Sequence, residues 1–214
     1  MSLDLYKVKI ECKKRSLFSP LSLSIGRGEI ATVMGPSGCG KSTLLAAIAG
    51  SLEFVFSISG EIVLNGRNLN GICMEKRRVG ILFQDDLLFP HFDVFGNLAF
   101  GLPGGLTRKE KRERIMEALM RAGLESFVHR DVATLSGGQK ARVSLLRTIL
   151  AEPEAVLLDE PFSRLDKPLR VSFREFVHEQ VKLRNIPALL VTHDEADSCG
   201  GQIVKLQDFE EEQC

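Results

Sequence analysis

The sequence predicts an α/β fold: a mostly parallel sheet wound with helices, an antiparallel β layer at its N-terminal side, and an inserted α-helical subdomain. Three observations carry this expectation. Short apolar runs alternate with helical patterns, the order that builds parallel sheets. Two early runs, residues 6–10 and 21–25, alternate apolar with polar side chains, as half-buried antiparallel strands do. A stretch from about residue 89 to 150 reads as helical and offers no strand.

Taken in order, the parallel strands are expected at residues 30–34, 79–83, 155–158 and 188–192. One unit spanning 1–214 is expected, with the helical subdomain inserted at about 86–150. Its mixed-charge segment TRKEKRER, 107–114, reads as the solvated face of a helix. At 44% hydrophobic residues and a mean hydropathy of +0.03, the chain has material for a sizeable core. No window approaches the length of a membrane span. Twenty-eight Lys and Arg balance 28 Asp and Glu, which argues against a nucleic acid or an anionic lipid as the main partner. The five cysteines are odd in number and lack metal-ligand spacing, and the start carries no signal or lipidation pattern. A reducing cytoplasm is therefore expected. The tail FEEEQC reads as a frayed acidic end.

After the apolar run EIATVM comes GPSGCGKST, with a helical pattern at 44–49 behind it. Strand, glycine loop and helix form the context of a phosphate-binding loop. Gly35, Gly38 and Gly40 provide unusual backbone angles and close approach, while Pro36, Ser37, Cys39 and Thr43 complete the cradle. The helix N-terminus adds partial positive charge, Lys41 reaches toward the β and γ phosphates, and the Ser42 hydroxyl is placed to ligate Mg²⁺. In AVLLDE a buried strand ends at Asp159, a second Mg²⁺ ligand, and Glu160 is placed to orient or deprotonate water. Leu135, Ser136, Gly137, Gly138 and Gln139, LSGGQ, read as a capped helix start with bare backbone, placed in the helical insertion and so expected to lie remote from the chain's own glycine loop. The nucleotide of a second chain is the natural anion for it.

Together and in this order the motifs resemble the ATP-binding-cassette (ABC) ATPase subunits of membrane transporters, over nearly the whole chain. GPSGCGKST looks like the Walker A motif of their P-loop NTPase core, LSGGQ like the signature, and AVLLDE like Walker B. Gln84 in ILFQDDLLFPH looks like the Q-loop glutamine, Ser163, Leu165 and Asp166 in SRLD like the D-loop, and His193 in LLVTHDEA like the switch histidine. The resemblance implies a head-to-tail dimer, with an identical second subunit, holding two ATP molecules with Mg²⁺ between Walker A and the partner's signature. It also implies catalytic roles for Glu160, His193 and Gln84, with Gln84 linking metal and water to the transporter. The implied partners are an integral membrane permease and an extracytoplasmic solute-binding protein; the implied place is the inner face of the cell membrane.

The segment around Leu87, Leu88, Phe89, Phe92 and Phe95 is similar to the permease contact of bacterial importers for thiamine, molybdate, iron or polyamines. Packing within the subdomain's own core is the other reading of those side chains. Export or lipid-release ATPases, and soluble non-transport members, are the alternatives to import. The sequence stops soon after IVKLQDFE, where some importer ATPases continue into a regulatory domain. Three features depart from the family pattern. Where an adenine-stacking aromatic is usual the sequence has Cys12, Lys13, Lys14 and Arg15, so an Arg or Lys stem takes the base or recognition is loose. Arg164 stands in the D-loop where a small residue is usual, either as an ion-pair partner or as an obstacle to closure. Cys39 inside the phosphate loop predicts that alkylation blocks nucleotide binding.

Overall fold

In the run Leu21–Ile25, Leu21, Leu23 and Ile25 are buried and the two serines between them are exposed, the period-two signature of a one-sided strand. This is β3 of the computed structural model, which describes residues 2–206. The acidic tail and Cys214 lie outside the described residues. In chain order the elements are β1 (Leu3–Cys12), β2 (Arg15–Ser16), β3 (Leu21–Ile25), β4 (Ile30–Met34), α1 (Lys41–Ala49), β5 (Phe56–Leu64), β6 (Arg67–Asn68) and α2 (Met74–Arg77). There follow β7 (Val79–Leu82), α3 (Val94–Gly101), α4 (Arg108–Arg121), α5 (Gly137–Leu150), β8 (Ala155–Asp159), α6 (Lys167–Arg184), β9 (Ala188–Thr192) and β10 (Ile203–Lys205).

Two sheets result. β1 pairs antiparallel with β2, β3 and β5, and β5 with β6. The second sheet is wholly parallel in the order β10-β4-β9-β8-β7. Its inner strands β4, β9 and β8 are covered on both sides, and alternate residues of β8 and β9 serve two cores. Ala155, Leu157, Leu189 and Val191 pack with α1 and the antiparallel layer. Val156, Leu158, Ala188 and Leu190 pack with α3 to α6. Burial on both faces is why these strands read as unbroken apolar runs. No helix of the described residues is long and apolar enough to cross a membrane.

Strand β5 departs from the sequence reading, which placed no strand between residues 49 and 79. Only Ile62 and Leu64 of it are fully buried, so its apolar signal is weak. It is held by β1 around a register shift between Tyr6 and Lys9, where Lys7 takes φ 47°. Opposite stands Gly60 at φ 84°; a Cβ there would meet the Lys7 carbonyl oxygen at 2.4 Å, so only glycine fits. Two parallel-strand ends also move by one: β7 ends at Leu82, not at residue 83, and β8 at Asp159, not at residue 158. Between β7 and β8 the backbone forms α3, α4, α5 and two 3₁₀ turns, with one isolated bridge between Asp93 and Asp131.

The registers bring the carboxyl ends of four parallel strands together. Met34 pairs with Thr192, Val191 with Asp159, and Leu158 with Leu82. Each strand therefore releases its next residues at one edge of the sheet, where ligands sit in open α/β folds.

Candidate functional site

That edge bears a cleft of about 540 Å³, lined by Ser37, Gly38, Gly40, Lys41, Ser42, Thr43, Gln84, Asp159 and Glu160, with Leu17 and Phe56 from the antiparallel layer. Each polar member follows from its strand: the glycine loop after β4, Gln84 after β7, Asp159 and Glu160 at the end of β8.

Gly38 and Gly40 hold φ 86° and 93°. Gly40 is the left-handed N-cap of α1, and no side chain caps that helix. Gly35 must lack a Cβ because one would lie 2.5 Å from the Cys39 sulfur. Cys39 itself is buried in the core beneath the loop, and its N–H donates to the Pro36 carbonyl at 3.4 Å. The thiol is thus packed in the core and absent from the cleft lining, so steric blocking of the phosphate site requires the loop to leave the core. The Lys41 ammonium is buried and donates to the Gly35 and Pro36 carbonyls at 2.8 and 2.9 Å, with Glu160 Oε1 at 3.8 Å.

Ser42 donates its hydroxyl proton to Asp159 Oδ1 at 3.2 Å, which joins the two residues expected to ligate Mg²⁺. Burial pushes the Asp159 carboxyl above the usual range, opposed by the Ser42 hydrogen bond and reinforced by the charge of Glu160. A desolvated carboxylate beside a second one is a place where a cation gains much. Glu160 has φ 44°, a left-handed backbone that a non-glycine residue adopts at a cost of about 1–3 kcal/mol. Its N–H donates to Val191 O at 3.0 Å, and its carbonyl accepts from Ser163 Oγ at 2.8 Å, contacts that hold the strained turn in place. His193, exposed after β9, places Nδ1 3.1 Å from Glu160 Oε2. The carboxylate therefore touches both the phosphate-loop lysine and the histidine.

The remaining motif residues lie elsewhere, outside the cleft lining. Ser136 caps α5 with a reciprocal box: its hydroxyl accepts from Gln139 N at 3.3 Å and its N–H donates to Gln139 Oε1 at 2.9 Å. Leu135 is buried beneath that turn, Gly137 is exposed, and Gly138 packs against Leu169 of α6. Asp166 caps α6 by accepting from Leu169 N at 3.0 Å, and Leu165 packs on the helical core. Arg164, exposed in the same loop, forms an ion pair with Asp85, the residue after Gln84. It is an ion-pair partner within its own chain.

Several positioning groups escape a sequence reading. Arg170 of α6 grips Asp194 at 2.6 Å and the buried Asp197 at 2.8 Å, while Thr192 donates to Asp197 at 2.7 Å. These contacts fix the turn that follows His193. Burial raises the Asp197 carboxyl, opposed by Thr192 and Arg170, whereas the Ala196 N–H and then Arg170 hold Asp194 below the usual range. From α5, Ser144 donates to Asp86 O at 2.8 Å and Arg147 to Leu87 O at 2.8 Å, so the signature helix also carries the segment behind Gln84. Leu88 and Phe95 pack inward on the helical core. Phe89, Phe92 and Phe100 form edge-on ring contacts at 4.7–5.8 Å, with Leu87, Phe92 and Phe100 exposed. None of Cys12, Lys13, Lys14 or Arg15 lines the cleft.

Comparison with known proteins fits this geometry. A family model described as ABC transporter matches residues 18–163. An uncharacterized ABC transporter ATP-binding protein of Escherichia coli strain K12, YnjD, is 47% identical over 190 residues, 89% of this chain and 88% of YnjD. The spermidine/putrescine import ATP-binding protein PotA of Legionella pneumophila strain Philadelphia 1 is 42% identical over 183 residues, 85% of this chain and 50% of PotA. The sn-glycerol-3-phosphate import ATP-binding protein UgpC 2 of Agrobacterium fabrum strain C58 is 38% identical over 197 residues, 92% of this chain and 52% of that protein. The chain thus spans about half the length of these import proteins.

Proposed function

This chain belongs to the ABC transporter family, and we propose that it is the ATP-hydrolysing subunit that powers solute import through a separate integral membrane permease. The observation that carries the reading is the convergence of Lys41, Ser42, Gln84, Asp159, Glu160 and His193 at one sheet edge.

The triphosphate of ATP lies in the loop of residues 35–43, on the N-terminus of α1, with Lys41 moving its ammonium from the Gly35 and Pro36 carbonyls to phosphate oxygens. Mg²⁺ suits the hard oxygens of Ser42 and Asp159, and when bound it neutralises phosphate charge. Gln84 borders the same cleft and would add its side-chain oxygen to that shell. Glu160 accepts a proton from the water that attacks the γ-phosphorus as the bond to the β-phosphate oxygen breaks, giving ADP and phosphate. His193, held beside Glu160, contacts the γ-phosphate.

The signature, Leu135–Gln139, caps the ATP of an identical second subunit, and Ser163, Leu165 and Asp166 lie at that contact. The helical subdomain at about 86–150 offers the exposed residues near Phe92 to the permease. An extracytoplasmic binding protein supplies the solute, and the subunit works on the cytoplasmic face of the membrane without nucleic acid. The test is phosphate release by the wild type and by Glu160→Gln. Losing a general base lowers turnover by about 100-fold or more. Equal rates overturn the role of Glu160, and no nucleotide hydrolysis by the wild type, even with its permease, overturns the reading.

A further inference from the structure

A nucleotide presents two unlike surfaces, a charged tail and a flat apolar base, and the cleft presents two unlike walls. The parallel sheet and the glycine loop furnish the polar wall. The antiparallel layer furnishes two half-buried apolar side chains, Leu17 and Phe56. Leu17 lies directly against the phosphate loop, since a Cβ on Gly40 would meet it at 3.2 Å. Phe56 opens β5 directly opposite Cys12, and both it and Leu17 rest on the buried core behind. The neighbouring aromatic residues are less suited: Phe18 is fully buried, Tyr6 pairs with Glu61 far along β1 from Cys12, and Phe54, just before β5, is fully exposed and does not line the cleft.

We propose that Phe56, with Leu17 beside it, is the platform on which the nucleotide base rests, and so the residue that sets base preference in this chain. The proposal rests on the reading of the cleft as an ATP site. A ring held from behind offers a stacking face at little entropic cost, and base–aromatic stacking is sequence-tolerant because every base has a π face. Among the described residues that line the cleft, neither Leu17 nor Phe56 of this wall offers a hydrogen-bonding group to a base edge. Purines are therefore accepted with little discrimination, and ATP and GTP bind within a few-fold of each other, ahead of the smaller pyrimidine nucleotides.

The experiment measures binding of Mg·ATP and of Mg·triphosphate, the same charged tail without a base, to the full chain by calorimetry. Phe56→Ala is expected to weaken ATP binding about tenfold and to leave inorganic triphosphate unchanged; Phe56→Tyr restores ATP binding. Phe56→Leu keeps core volume and removes the ring, so it serves if the alanine variant is poorly folded. Unchanged ATP affinity in a folded Phe56 variant, or equal weakening of both probes, overturns the platform. Lys41→Ala tests the premise separately: it weakens both probes if the cleft holds the phosphates, and if neither probe binds the wild type the nucleotide reading itself fails.

Discussion

Asn97 offers a sharp test of how the segment behind Gln84 is held. It is fully buried in α3 among apolar neighbours. Its carbonyl oxygen accepts from Phe89 N at 2.8 Å, and its amide donates toward the carbonyls of Phe89, Phe92 and Asp93 at 3.1, 3.3 and 3.0 Å. Two N–H groups shared among three acceptors, with one accepted bond, amount to about three hydrogen bonds at about 1 kcal/mol each. Asn97→Ala should therefore cost about 3 kcal/mol. At 2–4 °C per kcal/mol for a chain of this size, the melting point falls by about 6–12 °C. Asn97→Asp keeps the acceptor but sets a carboxylate against three carbonyls. At neutral pH it should be at least as destabilising as alanine, and protonation at low pH should narrow the gap. Calorimetric melting and urea unfolding read both variants. A loss below about 0.5 kcal/mol for alanine, within the range of a neutral surface change, would refute the reasoning, as would an aspartate variant as stable as the wild type.

Three further outcomes are expected. Asp159→Asn should abolish hydrolysis yet stabilise the nucleotide-free chain, because burial raises the folded-state pKa of Asp159. With that sign, the folded state holds the proton more tightly and stability is lost as pH rises through the carboxylate range; the urea-midpoint difference should thus shrink on acidification, and a constant difference would contradict it. Gly60→Ala should cost about 1–3 kcal/mol, since φ is 84° and the Lys7 oxygen stands 2.4 Å from the new Cβ; a neutral variant in urea unfolding would remove the argument for the bulge. Arg164 and Asp85 are both exposed, so their coupling is expected below about 1 kcal/mol and weakened by salt. A double-mutant cycle with Arg164→Ala and Asp85→Ala, read by urea unfolding at low and high salt, tests this, and a larger, salt-insensitive coupling would contradict it.

What was legible in the sequence follows from where each signal arises. Four of the five parallel strands could be read because their side chains form unbroken apolar runs, and their ends could be read to within one residue because Gly35, Gln84, Asp159 and His193 interrupt those runs; β10, with Ile203 and Lys205 exposed, carries no such run. The glycine loop is a local device whose parts lie within nine consecutive residues. β5 escaped because most of its side chains are exposed, so no periodicity marks it. Asn97 left a trace, a lone amide in FGNLAF, but its carbonyl partners are set by the loop it folds against. The Arg170 grip on Asp197 spans 27 residues and Arg147 reaches Leu87 across 60, distances at which residue type alone names no partner. The apolar wall of the cleft is hidden for the same reason: Phe56 joins the lining of the glycine-loop cleft only through the pairing of β5 with β1.

The central claim is that two copies of this chain close on ATP, with the signature of one over the phosphate loop of the other. Light scattering of Glu160→Gln with and without Mg·ATP tests it most directly. Twice the monomer mass with ATP, and the monomer mass without it, is the predicted result. A protein that binds ATP at saturation yet stays at monomer mass, alone and with its permease, would contradict the claim.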